Sequence, residues 1–171
     1  MGFFDKLNGT KHPRSDVSPQ PAEDLKAMLL GLNGPDVPFT IRGGGEGSSY
    51  QDYLVAEWRL MEPAWRSFFA SKQLSRRLRI RLRLVRAERE VRVLEEQWKI
   101  QWVDGVPVSR EYGRGPLNQR SAEWTIGRKR DGRGFEVTQT FRFDSAEMRE
   151  PLRSTVLDAG WTWRGVLIGK L

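Results

Sequence analysis

The chain has 171 residues, 38% of them hydrophobic, with seven Trp, eight Phe and a net charge of +7, which suits one domain with a real core and favours anionic partners. Cysteine is absent and His12 is the single histidine. Disulfides, thiolate metal sites and cysteine nucleophiles are therefore excluded, and a Ser-His-Asp device or a multi-histidine centre has almost nothing to be built from.

Residues 1–20 are polar and proline-interrupted and read as a flexible arm. Residues 21–34 read as a short helix: Pro21 stands near its start, Glu23 and Asp24 in its first turn, and Leu25, Met28, Leu29 and Leu32 form one apolar stripe before Asn33-Gly34. Residues 35–171 read as a single α+β domain. "VPFTIR" is a strand running into "GGGEGSS", a connector by composition: Gly43 and Gly45 lack the third glycine of a dinucleotide fingerprint, and no Lys-Ser/Thr pair closes a phosphate loop. "YLVAEWRLM" turns Leu54, Ala56, Trp58 and Leu60 to one side. Pro63 opens a short helix with Trp65, Phe68 and Phe69 on its core face.

"RRLRIRLRLV", residues 76–85, sets Leu78, Ile80, Leu82 and Leu84 on one side and Arg77, Arg79, Arg81 and Arg83 on the other. A helical alternative through Ile80, Leu84, Ala87, Val91, Leu94 and Trp98 exists, but strict period-two order without a cap favours a strand. "VRVLEEQWKIQWV" returns after a turn. Its apolar positions switch from odd (Val91, Val93) to even (Leu94, Trp98, Ile100, Trp102), which predicts a bulge near Val93-Leu94. Asp104-Gly105 signals a hairpin into "VPVSREY". "SAEWTIGRK" and "FEVTQTFRF" follow as strands, the latter with Phe135, Val137, Phe141 and Phe143 inward. Asp144 and Glu147 resemble a capping box, with the helix proper expected from Pro151: Leu152, Val156 and Ala159 on one face, Gly160 as the stop. "WTWRGVL" is a final strand. The fold class is α+β: an antiparallel, strongly twisted or partly closed β-meander of about five strands, packed by short helices, including a C-terminal helix followed by a last strand.

The arginine strand has two readings. As a solvated face it needs neighbouring acids, and Glu88, Glu90, Glu95 and Glu96 are at hand. As a binding face it would join Arg114, Arg120, Arg128, Lys129, Arg130 and Arg133, which lie in or beside the 113–120 and 127–134 loops. No zinc-finger spacing or RNP-like or KH-type motif is present, so no motif indicates nucleic acid, and the tryptophans fall on the predicted inward parity or on helix faces. Contact of "MGFFDKL" with a membrane would be weak and peripheral. No transmembrane stretch or signal peptide is apparent, and a cytoplasmic location is expected. Glu57 and Glu123, each beside a Trp, are the acids to inspect for a raised pKa.

The stretches "AEWRLMEPAW", "LEEQWKIQWV" and "GWTWRGVL" resemble a group of small actinobacterial proteins of unassigned function, over most of residues 36–171. The resemblance implies no catalytic motif and no site residues. The expectation is thus a non-catalytic binding domain without cofactor or metal, recognising a protein or an anionic surface through its basic loops. The alternative is a barrel-like pocket for a small apolar ligand, lined by Trp58, Trp98 and Trp102.

Overall fold

The computed structural model describes residues 8–44, 52–71, 76–114, 120–128, 135–144, 146–166 and 171, with the backbone alone for 71, 120–128 and 135–144. In chain order the elements are α1 (Ala22–Leu30), β1 (Phe39–Gly43), β2 (Tyr53–Trp58), α2 (Pro63–Ser71), β3 (Arg76–Val85), β4 (Glu90–Val103), β5 (Val106–Arg114), β6 (Arg120–Arg128), β7 (Phe135–Asp144), α3 (Ala146–Asp158) and β8 (Thr162–Gly165). The strands β1 to β5 form an antiparallel meander in sequence order, and β8 adds to β4 in parallel. The α+β reading holds, with the sheet open rather than closed. The meander differs from the expected one in membership: β1 and β2 belong to it, whereas β6 and β7 pair only with each other among the described residues. The inward set expected on "FEVTQTFRF" and the side chain of Glu123 lie outside the described residues.

Alternation along β3 makes the core. Leu78, Ile80 and Leu82 are at most 1% exposed, and they meet Leu54 and Ala56 of β2 and Val91 and Val93 of β4 on the same face. Burying each such side chain contributes roughly 1.5–3 kcal/mol. The helices close this inner face: α1 through Leu25 and Leu29, α2 through Phe69, α3 through Met148, Leu152 and Val156. Trp58 sits between Phe39 and Phe69, edge-on to both at 6.4 and 5.6 Å. Two stripe positions are corrected. Met28 of α1 and Phe68 of α2 are exposed, because each helix is only nine residues long and buries a narrow face.

The turns follow their chemistry. Asp104 and Gly105 both take positive φ, 50° and 74°, as a two-residue hairpin of matching twist requires. Asn33 closes part of the β1 edge: its side chain accepts from the Ile41 amide (2.7 Å) and donates to the Ile41 carbonyl (2.8 Å), like the backbone of a missing strand. The C-terminal helix starts at Ala146, a turn before the expected Pro151. That turn is held helical because Met148 is fully buried and Arg149 forks both oxygens of Glu95 at 2.7 and 2.8 Å.

The arm expected over residues 1–20 has a docked described part. Lys11 and Trp163 exchange backbone hydrogen bonds (2.8 and 2.9 Å), the Gln20 amide donates to Ala159, and the Trp161 indole donates to the Gln20 carbonyl. The contact is close enough to demand glycine. A Cβ on Gly165 would stand 1.6 Å from the Asn8 carbonyl oxygen, and one on Gly160 would meet Pro19 at 2.8 Å.

Candidate functional site

The register of β3 with β4 runs unbroken from Val85–Glu90 to Arg76–Lys99, so the bulge predicted at Val93-Leu94 is absent there. The irregularity lies further on, between Trp98 and Ile100 against β5, beyond which Ile100 is buried in the core and Trp102 packs against it. The consequence is a change of face. Leu94, Glu96 and Trp98 stand opposite Arg81, Arg79 and Arg77 on the outer side of the sheet, while Glu95 turns inward to Arg149.

Glu57 of β2, cross-strand from Arg79, is the keystone of this face. One carboxylate oxygen accepts from Arg42 at 2.9 Å; the other accepts from Arg77 at 2.8 Å and Arg79 at 3.3 Å. Burial pushes its pKa up, but the hydrogen bonds from Arg42 and Arg77 and the charges of Arg77 and Arg79 outweigh that and leave it below the usual carboxylate value. Glu57, an acid to inspect for a raised pKa, thus has a lowered one and is a structural carboxylate of the face. Arg77 and Arg79 also lie over the Trp98 indole, 5.4 and 4.9 Å from its centroid, and Tyr112 of β5 packs against the same ring at 5.3 Å. The Tyr112 hydroxyl accepts from Arg114 (2.6 Å) and donates to Glu96 (2.8 Å). A stripe of guanidinium, carboxylate and aromatic groups therefore crosses all five meander strands from Arg42 to Arg114.

Compensation on this face is incomplete. Glu57, Glu90 and Glu96 face the four β3 arginines together with Arg42, Arg92, Arg114 and Arg164. Arg92 and Arg164 share the buried Glu90, and Arg92 also reaches Glu88. Burial pushes the Glu90 pKa up, and the hydrogen bonds from Arg92 and Arg164 reverse this, holding it below the ordinary value. Arg83 donates to the Leu171 carbonyl at 2.9 Å, as does the Tyr53 hydroxyl at 3.0 Å. Arg81 has no carboxylate in ion-pair range among the described residues, whereas Arg83 is held by the Leu171 oxygen and Arg114 stands opposite Glu96, linked to it through the Tyr112 hydroxyl. Arg81 instead stands between the buried Val55 and Leu94. The Arg77 Nε and Glu96 Oε2 atoms are buried without a hydrogen-bond partner.

No family model, curated protein or solved structure matches this chain.

The remaining candidates do not converge. Among the loop cations only Arg114 has a described side chain; Arg120, Arg128, Lys129, Arg130 and Arg133 lie outside. Trp58 is in the core and Trp98 on the opposite face of the sheet, so Trp58, Trp98 and Trp102 do not line one cavity. Depressions of about 160 and 320 Å³ lie elsewhere, the first beside Arg76, Gln97 and Lys99, the second beside Pro21, Arg89 and Trp161. Among the described residues no three His, Asp or Glu side chains are grouped to hold a metal ion, and no helix is long and apolar enough to cross a membrane. The signal for Glu57 was present in the sequence: with Leu54, Ala56 and Trp58 inward, it had to share the arginine side. Arg42 and Tyr112 carried no such signal, because their roles depend on strand order.

Proposed function

We propose that this chain is a non-catalytic binding domain for an anionic partner, and that the arginine-rich outer face of the sheet is its contact surface. The observation that carries this reading is the excess of guanidinium over carboxylate on one face, where Arg81 has no acidic partner among the described residues. The strand-borne arginines replace the basic loops as the primary surface, with Arg114 common to both. A chain without cysteine fits a reducing cytoplasm.

The test compares two triple variants of equal net charge for salt-dependent binding to heparin as a generic polyanion. One replaces Arg81, Arg83 and Arg114 by Gln; the other replaces the exposed Lys11, Arg14 and Arg89, which lie off the face. The first is expected to lose affinity by at least about ten-fold and to flatten the salt dependence, the second to change little. Equal losses in both would reduce the effect to net charge and remove the face as a site.

A further inference from the structure

We infer that the anionic partner is a single-stranded nucleic acid, laid across the β3–β5 part of the outer face with a base against Tyr112. This rests on the proposed function and names its ligand class. Three observations carry it. Guanidinium and aromatic groups meet around Trp98: Arg77 and Arg79 stack on its indole, and Tyr112, 49% exposed, carries Arg114 over its ring at 5.7 Å. These are the two chemistries a single strand offers partners for, phosphate and base. Next, the aliphatic residues beneath, Val55 and Leu94, are 8% and 3% exposed, and the exposed Val103, Val106 and Val108 lie beyond the irregularity at Trp98–Ile100, at the hairpin end of β4 and β5, so the Arg77–Tyr112 strip itself has no accessible aliphatic anchor. Finally, β3 to β5 are not a separate ribbon but part of a continuous five-strand face about 19 Å wide. The duplex major groove admits a helix or a two-stranded ribbon, not a sheet face of that width, whereas an extended single strand can lie along it.

Trp98 is decisive for this choice. With its indole inward the face would lose the ring on which Arg77 and Arg79 lie; turned outward, it sets guanidinium planes and a tyrosine ring side by side at stacking distance.

The experiment is fluorescence anisotropy of the full chain with a labelled 12-nucleotide oligo-dT, a hairpin duplex of equal charge, a heparin fragment and a poly-Glu peptide, over a salt series. The expected result is a preference of at least ten-fold for the single strand. Its log–log salt slope should be near −2, as for about three phosphates, and shallower in Arg114→Gln. Tyr112→Leu should weaken oligo-dT binding about ten-fold with unchanged circular dichroism, while Tyr112→Phe, which keeps the ring but releases Arg114 and Glu96 from the hydroxyl, should lose clearly less than Tyr112→Leu. Equal affinity for duplex or heparin, preference for poly-Glu, or a Tyr112→Leu variant that binds like the native chain would overturn the single-strand inference and leave the anionic-partner reading standing. Absence of binding to every polyanion would remove both.

Discussion

Glu57 shows how a single carboxylate organises a cationic surface. Three arginines from two strands converge on its two oxygens, and its side chain is 14% exposed. Replacing it by Ala leaves Arg42, Arg77 and Arg79 repelling one another with no acid between them. The expected cost is about 2 kcal/mol in urea unfolding, below the roughly 3–5 kcal/mol for breaking a fully buried ion pair because Arg42 is half in solvent. The pH dependence has a defined sign. A carboxylate whose folded pKa is depressed contributes stability above its ordinary value of 4.5, and that contribution is lost as pH falls through the folded value. Glu57 and Glu90 are both depressed, so stability should fall on acidification below about pH 4.5. Glu57→Gln should flatten that limb. An acid limb of unchanged steepness in the variant would show that Glu57 is not tied to its arginines in solution.

At the scale of elements, the two faces of β4 are used for unlike purposes by adjacent residues. Glu96 faces outward to Tyr112, with Arg79 3.9 Å away, while Glu95 faces inward and pins α3 through Arg149. The pair Glu95–Arg149 is 6% and 12% exposed, so removing one member takes the bidentate partner from a buried charge. Arg149→Met is expected to destabilise by about 3–5 kcal/mol, and the double variant Glu95→Leu/Arg149→Met to recover most of it, since an apolar pair can replace a buried ion pair at little cost. A double variant as unstable as the single one would mean that Arg149 acts through something other than Glu95. This division also marks where the sequence stops being legible. Strict alternation in 76–85 and the Asp-Gly turn determine β3 and the β4–β5 hairpin from local pattern alone, and the core lining follows. The face of β4 does not follow, because two equally apolar registers exist: Val91 and Val93 in one, Leu94 and Trp98 in the other. Choosing between them depends on where the bulge falls, and that is set by pairing with β5, not by residues within β4. The candidate site hangs on that choice, so its basic half was readable in advance and its aromatic half was not.

For the whole molecule, the segment before α1 acts as part of the body. The described residues from Asn8 to Gln20 run against β8 and the end of α3, and the approach is possible only because positions 160 and 165 have no side chain. A Gly165→Ala substitution puts a methyl group where the Asn8 carbonyl stands, so the backbone at Asn8 must move away. The reciprocal Lys11–Trp163 hydrogen bonds lie beside that contact and should break with it, whereas the β3–β4 ladder, which shares no atoms with it, should persist. The expected readout is hydrogen exchange: amide protection at Lys11, Trp163 and Gln20 falls by at least about ten-fold while that of Ile80 and Leu82 holds. Because this docking lies away from the Arg77–Tyr112 region, the same variant should bind polyanions as the native chain does. If protection at Lys11 and Ile80 fell together, the segment would be part of the global folding unit rather than a strap laid on a finished domain. If neither fell, the close approach of Asn8 to Gly165 would not exist in solution.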